Sequence, residues 1–161
     1  MFNLTINTFL KIIFIISLIS IFSAFFIEYV LGHQPCNLCL IERIPYGLSI
    51  MIIMVIFLIK KNQKFFIMLL ILTFIFSFAI SFYHYGIEQG FFQESSFCGV
   101  KNLTESITKE DLLKQLSEKT ISCRDVTFRI FGLSLTSINI AINLMFIITL
   151  LKIFNKYEKH K

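Results

Sequence analysis

Long apolar runs separated by short polar breaks dominate this chain. Four of them approach the roughly 20 residues needed to cross about 30 Å of hydrocarbon. They cover approximately residues 12–31, 44–59, 65–85 and 130–151. The second is short, but Lys60 and Lys61 follow it and can snorkel, and residues before Ile44 can extend it. Bare backbone polar groups cannot sit in lipid, so each run predicts an α-helix. The expected fold is all-α: an integral membrane four-helix bundle forming one domain over residues 1–161. The first run lacks a basic n-region and a small-x-small cleavage site, and it is long for a signal peptide. It is read as a retained anchor.

Polar positions inside the runs refine this picture. Thr73, Ser77 and Ser81 recur every four residues, and Gly132, Thr136, Asn139 and Asn143 form one stripe along the last run. Small, weakly polar residues at this spacing mark helix–helix contacts within a membrane bundle. Glu28 and Glu88 lie in or near lipid, where acids are costly, so both are expected to be paired, with Arg43 or Arg129 as candidate partners. Between the third and fourth runs lies a long loop, residues 86–129. Within it Thr108 precedes Asp111 in the manner of a capping box, and Leu112, Leu113 and Leu116 give a narrow apolar face. This predicts a short helix lying on the membrane surface.

Composition confirms that lipid is the solvent. Of the 161 residues 56% are hydrophobic and 20 are Phe, and the mean hydropathy is +0.78. The net charge of +5 could suggest nucleic acid, but the placement of the charges argues otherwise. The N-terminal segment, the 60–64 turn and the C-terminal tail carry Lys11, Lys60, Lys61, Lys64, Lys152, Lys156, Lys159 and Lys161 against one acid, Glu158. The remaining segments hold more acids than bases. Lys and Arg near helix ends favour the cytoplasm. Both termini are therefore expected there, with loops 32–43 and 86–129 facing outward. The basic excess is a topology signal, and no nucleic-acid partner is expected.

The four cysteines, Cys36, Cys39, Cys98 and Cys123, all fall in those outward loops, two in each. Thiols form and keep disulfides in oxidising compartments, so their placement agrees with a topology derived from lysines alone. Cys36-Asn37-Leu38-Cys39 has the C-x-x-C spacing of a reducible, exchange-prone pair. A c-type haem site would require His after Cys39, where Leu40 stands. Four cysteines could complete a zinc tetrahedron, with His33 in reserve, but Cys98 and Cys123 lack the usual tight spacing; no metal is expected. The C-x-x-C lies just before the second run, at the membrane edge. A structural bridge has little need of that position, whereas a pair handing electrons to a lipid-soluble carrier does. Arg43 follows Cys39 by four residues, one helical turn on the same face, where a guanidinium could stabilise a thiolate or bond a quinone carbonyl. Pro45 sets a condition: were the helix to start there, Arg43 would lie in the loop and the shared face would be lost. Cys98 and Cys123, in a loop too long to be merely a connection, suit exchange with a soluble partner; a plain staple across the loop would contribute roughly 3 kcal/mol.

The run Gln34-Pro35-Cys36-Asn37-Leu38-Cys39-Leu40-Ile41-Glu42-Arg43 closely resembles the P-C-x-L-C-x-x-[EQ]-R motif of the disulfide bond formation protein B (DsbB) family. Tyr83-His84-Tyr85-Gly86-Ile87-Glu88, Cys123-Arg124-Asp125-Val126 and Arg129-Ile130-Phe131-Gly132-Leu133-Ser134 are also similar. The resemblance spans nearly the whole chain. It implies a quinone-dependent protein-disulfide oxidoreductase of the bacterial inner membrane, with ubiquinone or menaquinone as cofactor and a periplasmic thioredoxin-fold protein similar to DsbA as partner. By motif position, Cys98 would form the mixed disulfide with that partner. Cys123 would be its loop mate, able to bridge to Cys36. Cys39 would be the thiolate beside the quinone, Arg43 would hold the quinone, and His84 lies near its expected site. Two other readings remain open at this point: a vitamin K epoxide reductase-type enzyme, which usually carries its C-x-x-C near a later span, and a non-enzymatic scaffold with structural bridges.

Overall fold

A computed structural model describes residues 2–59, 62–93, 98, 122–124, 129–130 and 132–159. The surface helix expected over 108–118 lies outside the described residues. Among the described residues four long helices make up the fold: α1 (Phe2–Tyr29), α2 (Asn37–Ile59), α3 (Gln63–Glu88) and α4 (Leu135–Lys159). All four are long and apolar enough to cross a membrane. A minimal antiparallel hairpin precedes α4: β1 (Arg129–Ile130) pairs with β2 (Leu133–Ser134), with Arg129 opposite Ser134.

Two element boundaries correct the hydropathy reading, and both bear on the site. α2 starts at Asn37, seven residues before the apolar run, so the loop expected over 32–43 ends at Cys36. The added turns carry Glu42 and Arg43, which hydropathy scores as unfit for a span. They are helical because neighbouring helices supply their polar partners. Pro45 consequently sits inside α2. At the other boundary, α4 begins at Leu135 rather than near residue 130, because the hairpin takes up residues 129–134. Gly132, expected on the α4 stripe, instead occupies the hairpin turn at φ +83°, a left-handed conformation that a side chain would oppose.

The core follows from the inward positions of each run. Phe74 of α3 packs edge-on against Phe146 of α4 with centroids 4.8 Å apart, and Tyr46 of α2 meets Phe74 at 6.3 Å. Ile53, Ile67, Leu70 and Leu150 fill the space around these rings with no exposure. α3 and α4 share the largest interface, and α1 touches α4 at few positions. Outward positions such as Phe22, Leu58 and Phe76 are more than 60% exposed, as expected of residues that face lipid rather than water. Thr73, Ser77 and Ser81 are buried. Thr73 and Ser81 donate to the carbonyls of Leu69 and Ser77, one turn back, which satisfies their hydroxyls without water.

Helix ends shape the region where the cysteines gather. α1 ends with His33 N–H donating to the Ile27 carbonyl and Gly32 at φ +72°, a left-handed C-terminal turn that glycine adopts without strain. α3 ends in a tighter reversal, in which the backbone N–H groups of Phe91 and Phe92 both donate to the Gly86 carbonyl. The Phe92 ring then lies over Gly86 and stacks on Tyr83 at 5.6 Å. A Cβ at Gly86 would come within 2.2 Å of that ring.

Candidate active site

Cys36 stands at the N-cap of α2. Its carbonyl accepts the first helical hydrogen bond, from Leu40 N–H, and its sulfur accepts Cys39 N–H at 3.3 Å. A sulfur therefore occupies the place usually taken by a serine or aspartate oxygen, at the positive end of the helix. Cys36 and Cys39 are free thiols with sulfurs 2.8 Å apart. The hydrogen bond from Cys39 is the main reason the Cys36 thiol is held well below its ordinary value of 9.0. Burial opposes this shift, and His84 reinforces it. The reduced pair thus carries its first thiolate at Cys36, as expected for a thiol at a helix N-terminus.

Cys98 and Cys123 form a disulfide with Cα atoms 5.5 Å apart. Cys36, Cys98 and Cys123 belong to one buried cluster with Leu38 and Ile87. All four cysteines thus converge at one end of the bundle.

A polar chain runs inward from the thiols. His84, in the last turn of α3, is 2% exposed. Its Nε2 lies 3.5 Å from Cys36 Sγ, and its Nδ1 lies 2.8 Å from Glu42 Oε1. The other Glu42 oxygen accepts Asn139 Nδ2 at 2.7 Å. Asn139 also donates to Ser81 Oγ at 2.8 Å and accepts the Tyr46 hydroxyl, with Asn143 beside it. Glu88 accepts Thr136 Oγ1 at 2.6 Å through Oε1, while its buried Oε2 has no hydrogen-bond partner among the described residues. Among those residues Glu88 therefore meets the Thr136 hydroxyl and, at 3.9 Å, His84 Nε2, and not an arginine. Glu28 does take Arg43, at 2.5 Å, and the Arg43 guanidinium stacks over Phe25 at 5.3 Å from the ring centroid, an arrangement that holds cation and carboxylate together near lipid.

These groups surround a cavity of about 390 Å³. Cys36, Cys39, Arg43, His84, Glu88 and Cys123 contribute its polar end. Ile16, Ile19 and Ile27 of α1 and Ile138 and Ile142 of α4 form much of its apolar wall. Cys39, Glu42 and Arg43 all face it, because α2 continues through Pro45 and keeps them on one side of the helix. The structure therefore gathers Cys36, Cys39, Arg43 and His84 around one cavity, and Cys98 touches it through its bond to Cys123. Sequence reasoning read Thr136, Asn139 and Asn143 only as packing residues and passed over Glu42 and Tyr46. The signal was present: an acid and two amides within apolar spans call for partners.

Fold and site together define a multi-pass membrane protein with two cysteine pairs meeting at the rim of an apolar cavity. Residues 7–153 match the family model for disulfide bond formation protein DsbB. The chain belongs to the DsbB family, membrane proteins of disulfide-bond formation. It is also 30% identical over 158 residues, 92% of each chain, to a Rickettsia prowazekii (strain Madrid E) protein named "Uncharacterized protein RP370".

Proposed function

We propose that this protein reoxidises a reduced, periplasmic thioredoxin-fold partner similar to DsbA and passes the electrons to a membrane quinone, ubiquinone or menaquinone. The observation that carries this reading is the convergence of both cysteine pairs, Cys98–Cys123 and Cys36/Cys39, beside one largely apolar cavity.

The relay balances as follows. A partner thiolate attacks the disulfide at Cys98; the partner's second thiol then resolves the mixed disulfide, leaving Cys98 and Cys123 reduced. The Cys123 thiolate attacks the Cys36–Cys39 disulfide at Cys36, releasing Cys39, and Cys98 closes the loop bridge again. The membrane-edge pair now holds two electrons and two protons. Its return to a disulfide delivers both to the acceptor, so the net change is partner dithiol plus quinone giving partner disulfide plus quinol.

The residues present fit a quinone. The cavity volume lies within the range of small-molecule sites, its wall is apolar, and its polar end offers N–H donors from Arg43 and His84. When bound, a quinone supplies a two-electron acceptor dissolved in the bilayer. Arg43 has five N–H donors; Nη1 is engaged by Glu28, which aims the rest of the fork at the cavity. His84 sits within reach of the Cys36 proton and is backed by Glu42. This pairing suits a base that lifts a thiol proton and holds it beside the acceptor. Placing the site in the periplasmic half of a bacterial inner membrane rests on the lysine distribution.

The test is quinone-dependent turnover of the purified protein with a reduced DsbA-like partner. Cys36→Ala and Cys39→Ala are expected to abolish it, and Cys98→Ala to lose covalent trapping of the partner. Full turnover in either of the first two variants would refute the relay.

A further inference from the structure

We propose that the reduced site is also a binding site for one thiophilic metal cation, held by Cys36, Cys39, His84 and Glu88, and that this cation arrests the protein in its reduced state. The proposal goes beyond electron transfer and rests on the geometry of the reduced pair. The four-cysteine set considered from sequence is not the one that assembles, because Cys98 and Cys123 are bonded to each other.

Sulfur and nitrogen atoms of Cys36, Cys39 and His84 all lie within 4.8 Å of one another. In a zinc tetrahedron with Zn–S of about 2.3 Å and Zn–N of about 2.05 Å, a sulfur and a nitrogen ligand stand about 3.6 Å apart. Cys36 Sγ and His84 Nε2 are 3.5 Å apart. Two sulfur ligands need a separation of about 3.8 Å. The sulfurs are 2.8 Å apart, so roughly 1 Å of side-chain rotation opens the pair. Glu88 lies outside this trio but beside it, with Oε1 3.9 Å from His84 Nε2, and a side-chain shift toward the sulfurs would bring it to the fourth position. Among the described residues its buried Oε2 has no hydrogen-bond partner, and the side chain is 6% exposed. A buried carboxylate oxygen with nothing to accept is costly, and a cation would satisfy it.

The surrounding shell favours the same outcome. His84 turns Nδ1 toward Glu42 Oε1 at 2.8 Å, which leaves Nε2 facing the sulfurs. Metal-binding histidines are commonly fixed by such a carboxylate on the far nitrogen. Glu42 is in turn held by Asn139 at 2.7 Å. Two thiolates, one imidazole and one carboxylate make a donor set suited to Zn²⁺ or Co²⁺. On binding, any proton still held by the two sulfurs or by His84 Nε2 leaves to solvent, and no electrons move. A disulfide between Cys36 and Cys39 removes both thiolates, so the site exists only in the reduced protein. The cation would occupy the sulfurs that must hand on electrons, and it would compete with the acceptor for the cavity.

The experiment uses the full chain in detergent micelles with Cys98→Ser and Cys123→Ser, so that Cys36 and Cys39 are the only thiols. The protein is reduced, freed of reductant and titrated anaerobically with Co²⁺, without quinone or partner. One equivalent is expected to give thiolate-to-cobalt charge-transfer bands and the strong visible bands of a tetrahedral ion, and Zn²⁺ is expected to displace it. Oxidising the same sample should erase the spectrum, a control that leaves the fold intact. His84→Gln should lose the tetrahedral bands, and Glu42→Gln should weaken Zn²⁺ by about 10–100-fold. No cobalt–thiolate spectrum in the reduced chain, or one indifferent to oxidation or to His84→Gln, would overturn the proposal. These spectra need no turnover, so the metal site can fail while the quinone reaction stands, and the reverse.

Discussion

Replacing Asn139 with leucine tests the polar chain most directly, because the change keeps the branched heavy-atom outline of the side chain and removes its hydrogen bonds. Asn139 donates to Glu42 and to Ser81 and accepts from Tyr46. Ser81 still has the Ser77 carbonyl, and Tyr46 still has Asn143 Oδ1 at 3.5 Å. The lasting losses are at Glu42 Oε2, in a residue 8% exposed, and, more weakly, at Asn143 Nδ2, which donates to Asn139 at 3.4 Å. A hydrogen bond to a charged group contributes about 1.5–3 kcal/mol in water-soluble proteins. Between membrane helices the measured average is nearer 0.6 kcal/mol, because the unfolded chain also finds partners in lipid. A buried carboxylate has few such alternatives, and so the expected cost is about 2–3 kcal/mol. The assay is reversible unfolding in mixed micelles of increasing sodium dodecyl sulfate fraction, followed by circular dichroism. Leu144→Ala, at a position 47% exposed to lipid, serves as the reference and should stay within about 0.5 kcal/mol. Quinone-dependent kcat should fall along with stability in Asn139→Leu, because Glu42 no longer holds His84 in place. A loss no greater than that of the reference, with unchanged kcat, would refute the idea that this amide organises the site.

Three further outcomes follow from the geometry. The reduced protein should show Cys36 thiolate absorbance with a midpoint well below the ordinary 9.0. Between those values the folded thiolate binds fewer protons than the unfolded thiol, so the stability of the reduced form should rise with pH across that window; Cys39→Ala should move the midpoint upward, since Cys39 is the main cause of the shift. Gly86→Ala should push Phe92 off Tyr83 and cost about 1–3 kcal/mol, measured by thermal unfolding; an unchanged midpoint would show that the ring is not seated there. Arg43→Ala should raise the KM for quinone more than it lowers kcat, and Glu28→Gln should do so to a lesser degree; equal KM values for all three proteins would leave Arg43 with only a structural part.

The four runs were legible because lipid imposes length and apolarity on every helix that crosses it. Cysteine placement and spacing pointed to the chemistry just as clearly. What the sequence left open was the start of α2. A window over Asn37, Glu42 and Arg43 reads as loop, since hydropathy scores residues singly, whereas Glu42 is acceptable in place because His84 and Asn139 come to it from α3 and α4. Pro45 strengthened that misreading. Asn139 and Asn143 showed their spacing but not their partners, which lie 58 to 97 positions away in the chain. Gly132 fitted a helical stripe by number alone, and the two-residue strand pair that displaced it from α4 leaves almost no period-two signal.

The sparse meeting of α1 with α4 has a bearing on traffic. Ile16, Ile19 and Ile27 from one helix and Ile138 and Ile142 from the other bound the same hollow, yet these two helices are not pressed together along their length. Under the proposed quinone reaction, this thinly packed seam is where a carrier dissolved in the bilayer would reach the hollow, its tail left among the lipid chains.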